Sequence, residues 1–272
     1  MGLLLFMSRR PVLGPDLDPD AADYIAAVEE ADGQAMEEAF KTAINAFVVG
    51  CKTDGTWNAI KAAVILSDAK TLAGALVPLV GAAPINHNFE SGDYNRGTGL
   101  VGGTTPDGSI KFLDTGRAND ADPQDNKHLS IYKTEPSTLT FSSYIAAQAS
   151  TPVSSASRIS DAVTWRRAIF GINTSSFPST PYSPSQLGFM ATTRSSSVSY
   201  DYRAAQTTTT SSVSSNANNS LNIFVFCRNQ NGSPNQQTNA RLGFYSIGES
   251  LDLALLDARV TTLIADLQAA IP

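Results

Sequence analysis

Between Ile85 and Ile247 the chain is a succession of short apolar runs, each closed by turn residues. The run "HLSIYK" sets Leu129 and Ile131 against Ser130 and Tyr132, the period-two alternation of a half-buried strand. "TWRRAIFGI", "LGFMATT", "VSYDYRA", "LNIFVF" and "RLGFYSI" follow, divided by clusters of Gly, Pro, Asn and Ser. A strand with one apolar face must hide it, and two antiparallel sheets packed face to face hide many such strands at once. The pattern therefore predicts an antiparallel β-sandwich. "LNIFVFC" is apolar on both sides, with Leu221, Ile223 and Val225 opposite Phe224 and Phe226, and is expected at the centre of a sheet. "QTTTTSSVSS" is β-branched and polar, which suits a strand facing water.

The two ends follow a different period. Tyr24, Ile25 and Val28 make a short helical face, Asp32 offers a cap, and Met36, Phe40, Ile44, Phe47 and Val48 repeat at helical spacing up to a stop at Gly50. "TDGTWNAIKAAVIL" predicts a further helix with Trp57, Ile60 and Val64 on one face, before Gly74, Pro78, Gly81 and Pro84 break the pattern. At the other end, "RLGFYSIGESLDLALLDARV" changes from alternation to helical spacing after Gly248. Leu253, Leu256, Val260, Leu263 and Leu267 occupy the a and d positions of two heptads. Two outcomes stand open for that helix: return to the N-terminal helices, or a short symmetric bundle between copies.

The expected class is thus α+β, with an extended arm (1–19), a helical attachment block (20–84), a β-sandwich (85–247) and a C-terminal amphipathic helix (248–272). The arm opens "MGLLLFMSRRP". Its apolar run is shorter than the roughly 7–15 residues of a secretory h-region and its arginines come after it. The arm is therefore read as mature sequence, with Leu3, Leu4, Leu5 and Phe6 docked into the protein's own core or a neighbouring subunit.

Charged residues make up 16% of the chain, well under the usual ~25%, so the surface is dressed in neutral hydroxyl and amide groups. The net charge is −6 and basic residues cluster no further than the pairs Arg9-Arg10 and Arg166-Arg167, which argues against nucleic-acid binding. No stretch approaches the ~18–20 apolar residues of a membrane span. Cys51 and Cys227 read as small buried hydrophobes, with a bridge between them left open. His87 and His128 stand apart from each other and from both cysteines, so no metal site is expected. "DADPQDN", Asp120 to Asn126, is a turn cluster with a calcium loop as the alternative.

No Gly-x-Ser-x-Gly elbow occurs, and the sandwich holds two isolated glutamates, Glu90 and Glu135. No catalytic residue, no cofactor and no enzymatic activity are expected on that basis. Recognition remains. Aromatic faces and planar polar side chains on loops suit sugars. The candidates are Tyr200, Tyr202, Trp165 and Arg194, with Asn229, Asn231, Asn235 and Gln236 from "NQNGSPNQQTNA". The competing reading makes Trp165 a core residue and that loop simply solvated.

Ala21 to Gly81 ("AADYIAAVEEADGQAMEEAFKTAINAFVVG…") resembles the N-terminal helical block of a group of uncharacterised bacteriophage particle proteins. Thr238 to Ile271 ("TNARLGFYSIGESLDLALLDARVTTLIADLQAAI") resembles their closing block, and the region between, with "DTGRANDADPQDNKHLSIY", resembles their concanavalin- or laminin-G-like sandwich. The resemblance covers most of the chain and implies virion structure and host attachment, without assigning any residue a role. It points to a tail-fibre or spike subunit, trimeric through the heptad helix, partnered by other virion proteins and a host-surface glycan. A capsid decoration or head-fibre protein, and a free carbohydrate-binding lectin, are the alternatives.

Overall fold

The computed structural model describes residues 17–150, 155–162, 167–177, 179–181 and 186–271. Helix α1 (Pro19–Asp32) begins where Pro19 presets the first turn and the Asp18 carboxylate accepts from the Asp20 amide, and it ends at Gly33 in the left-handed conformation. Helix α2 (Glu38–Thr53) carries the predicted stripe, Phe40, Ile44, Phe47 and Val48, all buried. The third expected helix does not form. After a single 3-10 turn at Trp57–Ala59 the chain enters a strand, Ile60–Ile65. Trp57, Ile60 and Val64 sit at helical spacing, yet the run is apolar on both sides. That suits a strand covered on both faces, and Ile60, Val64 and Ile65 are β-branched. A short helix α3 (Leu72–Ala75) and the closing helix α4 (Leu253–Ala269) complete the helices of the described residues.

That first strand is β1. Next come β2 (Ile85–His87), β3 (Tyr94–Asn95), β4 (Gly99–Val101), β5 (Gly103–Thr104), β6 (Ile110–Ala118) and β7 (Lys127–Glu135). The middle of the chain supplies β8 (Phe141–Ala149), β9 (Ser155–Ala162), β10 (Arg167–Thr174), β11 (Ser179–Pro181) and β12 (Gly188–Arg194). The last are β13 (Tyr200–Ala204), β14 (Thr207–Ser211), β15 (Asn222–Val225), β16 (Arg228–Gln230), β17 (Ser233–Asn235) and β18 (Arg241–Gly248). Among the described residues they form two sheets. One has eight strands, in the order β14-β13-β12-β7-β18-β4-β3 with β1 also on β18. The other has ten, in the order β11-β10-β9-β8-β15-β6-β2, with β16 pairing β8 and β17, and β5 pairing β6. All named pairings are antiparallel except β16 with β8. As expected, β15 is internal to its sheet, and Thr207–Thr210 of β14 are exposed at an edge.

The eight-stranded sheet is the middle of three layers. On β1, Ala63 and Ile65 join the helices' core, while Ala62 and Val64 join the core between the sheets. On β12, Phe189 and Ala191 face the helices and Met190 faces the other sheet. Strand β18 is buried along most of its length because it serves both cores: Phe244 meets the helices, and Leu242, Tyr245 and Ile247 meet the sandwich. Leu242 and Tyr245 share a face despite their odd spacing. A bulge at Gly243 shifts the register between Leu242 and Phe244, which an extra residue does to strand parity.

Helix α4 packs on α2 in the helical core. Leu253, Leu256, Val260, Leu263 and Leu267 are each 3% exposed or less, clustered with Phe40, Phe47, Phe189 and Phe244. The expectation that these five residues hold copies together is therefore corrected. Their apolar stripe is spent on the protein's own core, each large side chain contributing about 1.5–3 kcal/mol by burial. The arm residues Leu3, Leu4, Leu5 and Phe6 lie outside the described residues.

Candidate functional site

The aromatic and cationic residues expected to meet a glycan are instead structural. Tyr200 is buried, and its hydroxyl donates to the Phe170 carbonyl at 2.9 Å. Tyr202 is buried and stacks on the Phe170 ring, centroids 4.9 Å apart. Arg194 is fully buried, with its guanidinium donating to the carbonyls of Ile172, Ser196, Ser199 and Val213 at 2.9–3.1 Å. It clamps three segments of backbone and has nothing to offer a ligand. Strand alternation explains the error: Tyr200 and Tyr202 share the inward face of β13, facing the other sheet. Trp165 lies outside the described residues.

The polar loop is a hairpin, β16–β17, laid beside β8. Asn229 is buried in it, donating to the Asn222 carbonyl and accepting from the Gly232 amide, both at 2.8 Å. Asn231 is exposed at the turn, and its side-chain oxygen accepts from the Ser150 amide at 2.9 Å. Asn235 and Gln236 lead to a cluster on the ten-stranded sheet's outer face that the sequence did not disclose.

Arg158 on β9 pairs across strands with Ala146 of β8 on one side and Gly171 of β10 on the other. Arg228 on β16 registers with the same Ala146. Directly opposed residues share a face, so both guanidiniums lie on the side away from Ile145 and Ile159 of the sandwich core. Gly171 leaves room there: a Cβ on it would sit 2.6 Å from the ring of Phe177. The half-buried Phe177 ring thus lies across the sheet, with the Arg158 guanidinium carbon 5.0 Å from its centroid.

The two cations are held differently. Arg228 donates to Asn235 at 2.8 Å, Gln148 at 2.7 Å and Gln230 at 2.6 Å, all neutral acceptors. Arg158 donates through Nε to the Ser160 hydroxyl at 3.2 Å, and its terminal nitrogens find no acceptor among the described residues. Neither has a carboxylate partner among those residues. Each is 8% exposed. Burial, then the like charge of Arg228, push the Arg158 guanidinium down to about 10. Gln236 borders the cluster, accepting from the Ser143 amide through its carbonyl at 2.9 Å. The result is an aromatic plane beside open hydrogen-bond donors on a rigid sheet, able to take a ligand with one apolar face and an oxygen-rich rim.

Other polar features are internally committed. Lys133 and Asp161 meet at 3.4 Å inside the sandwich, both fully or nearly fully buried. Asp122, within the acidic turn considered for calcium, is bonded to Arg117. Among the described residues no group of three or more His, Cys, Asp and Glu is placed to hold a metal. Cys51 belongs to the helical core and Cys227 to a small cluster with Phe112 and Phe224, and both are free thiols. A cleft of about 480 Å³ opens between α4 and the β12–β13 edge, where Asp257 is already paired with Arg203 at 2.7 Å.

Fold and cluster together define a helix-backed antiparallel β-sandwich with a cationic, aromatic outer face. No protein-family model and no curated protein matches the chain. Solved structures do. A Trypanosoma rangeli sialidase mutant displaying trans-sialidase activity matches 84% of this chain over 39% of its own, with 8% identity and a TM-score of 0.50. The NanB sialidase of Streptococcus pneumoniae matches 52% of this chain over 24% of its own, with 8% identity and a TM-score of 0.42. The CBM40 of a Ruminococcus gnavus IT-sialidase matches 50% of this chain over 82% of its own, with 9% identity and a TM-score of 0.36. The chain thus spans about a quarter of NanB and under half of the trypanosomal protein. Likeness at this identity concerns the fold. It nonetheless overturns the expectation that the chain is not an enzyme. A sialidase is among the structures that share this fold, so the sandwich itself does not exclude catalysis. A shared fold by itself carries no activity.

Proposed function

We propose that the chain is a glycan-binding protein whose recognition surface is the outer face of the ten-stranded sheet around Arg158, Arg228 and Phe177. The observation that supports it is the pairing of a half-buried aromatic plane, admitted by Gly171, with guanidinium donors that no described residue uses. Sugars present an apolar ring face and a rim of oxygens, and this surface offers the complement to both. The resemblance of Ala21–Gly81 and Thr238–Ile271 to bacteriophage particle proteins supports a reading in which that activity belongs to a virion, as a concanavalin-like sandwich engaging the host surface. In this reading the arm carrying Leu3–Phe6 contacts other virion proteins.

The test is a glycan array probed with the purified chain and with Phe177→Ala. Binding by the parent and at least about a tenfold loss in the variant are expected, since stacked aromatics and their hydrogen-bonded neighbours dominate such sites. An array on which the folded parent binds nothing defeats the glycan reading. Competition of host-cell adsorption by the purified chain tests the virion role, and unaltered adsorption would assign the chain to capsid decoration.

A further inference from the structure

We infer that the glycan taken by this face is acidic, presenting a carboxylate to Arg158 while its ring lies against Phe177. The inference rests on the glycan reading and specifies the ligand's charge.

The argument begins with charge balance. The chain carries a net charge of −6, so carboxylates are in surplus, and most of its other described cations use them. Arg96 holds Glu37, Arg117 holds Asp122, Arg203 holds Asp257, Arg241 holds Glu135 and Arg259 holds Asp54. Buried Arg194 is satisfied by a cage of backbone carbonyls. Arg158 has neither solution. It is nine-tenths buried, one nitrogen meets a hydroxyl, and the others have no acceptor among the described residues. A guanidinium held largely out of water with no carboxylate beside it is costly to keep charged, and the surface it retains is where a ligand reaches it.

A second cation makes the arrangement costlier still. Arg228 is near enough to repel Arg158, and it is fixed in place by Asn235, Gln148 and Gln230, none of which brings negative charge. An arriving anion relieves both repulsion and unpaired donors. The surrounding groups among the described residues are neutral amides and hydroxyls, suited to sugar oxygens, and no lysine cluster of the kind a polyphosphate needs stands among them. A planar carboxylate also matches the fork of a guanidinium, accepting two parallel N–H bonds from the terminal nitrogens Arg158 keeps open.

The experiment compares trigalacturonate with its methyl ester, which differ in charge and hardly in shape, and 3′-sialyllactose with lactose. Calorimetry is run on the full chain and on Arg158→Met, which keeps an apolar stem against Phe177. At least one acid should bind about tenfold or more tighter than its neutral counterpart. That preference should shrink in Arg158→Met and weaken with added salt. A preference that survives in a folded Arg158→Met, or neutral sugars binding as well as acids, overturns the carboxylate assignment and leaves the glycan reading standing. Failure of every sugar on the array removes both. The thermal transition of Arg158→Met establishes that the variant is folded. Should it not fold, Arg158→Lys replaces it, keeping charge while losing the fork, with the acid preference again expected to fall.

Discussion

Asp68 offers a test of how burial sets stability here. It follows β1, is fully buried, and accepts a hydrogen bond from the Tyr24 hydroxyl of α1 at 2.6 Å, while its other oxygen has no partner. Burial raises its carboxyl from the ordinary 3.8 to about 7; the Tyr24 hydroxyl and then the nearby amide dipoles of Asp68 and Ala69 oppose the rise, and Asp32 adds to it. Between those two values the folded state holds the proton and the unfolded chain has released it, so stability falls as pH rises. The gap of just over three pH units, at about 1.4 kcal/mol each, comes to about 4 kcal/mol, fully lost above about pH 7. Asp68→Asn keeps an oxygen for Tyr24 and cannot ionise. It should therefore be the more stable protein at about pH 8 by about 4 kcal/mol, since the rise to about 7 already includes the Tyr24 bond to the ionised carboxylate. Near pH 4 the two should agree within about 1 kcal/mol. Urea denaturation of both proteins from about pH 4 to pH 8 measures this, since carboxyls such as Glu37, held down at about 2 by Arg96, cancel in the difference. A difference that stays flat across that range would refute the reasoning.

The remaining expectations concern packing and the sheet face. Leu263→Ala should cost about 2–5 kcal/mol in chemical denaturation, because the side chain is closed in by the helical core. Deleting residues beyond Gly248 should abolish the cooperative melting transition by uncovering Phe47 and Phe244; a well-folded truncated chain in near-ultraviolet dichroism would contradict this. Arg194→Met strands the buried Ile172 carbonyl and the half-buried ones of Ser196, Ser199 and Val213 and should destabilise by about 2–4 kcal/mol, whereas a loss under about 1 kcal/mol would mean they find other donors. Gly171→Ala should displace the Phe177 ring, lowering glycan affinity on the array while the melting temperature moves little.

Much of the architecture was legible because local periodicity reports local exposure. The stripe from Phe40 to Val48 is a helix face, Leu129 and Ile131 alternate on a strand, and β14 is polar because its residues stand in water at an edge. Residues 57–65 misled because Trp57, Ile60 and Val64 fit a helix, while Ala62 and Val64 alternating with Ala63 and Ile65 fit a strand buried on both faces. Only β18, nearly two hundred residues away in the chain, chose between them. The heptad in α4 likewise specified an apolar stripe and was silent on its partner, which proved to be the same chain.

The candidate site was the least legible part. Tyr200, Tyr202 and Arg194 looked like recognition groups until the sheet turned their strands inward, and Asn235 and Gln236 were found at its border for reasons of pairing. Arg158 stands among the small uncharged residues of "SASRIS" and Arg228 follows a central strand, the only local hints available. What joins them is their common register with Ala146, and what brings in Phe177 is the missing side chain of Gly171. Sequence fixes each residue's period and polarity, because those depend on near neighbours. Which distant strands lie side by side, and so which charges share a face, is decided when the sheets close.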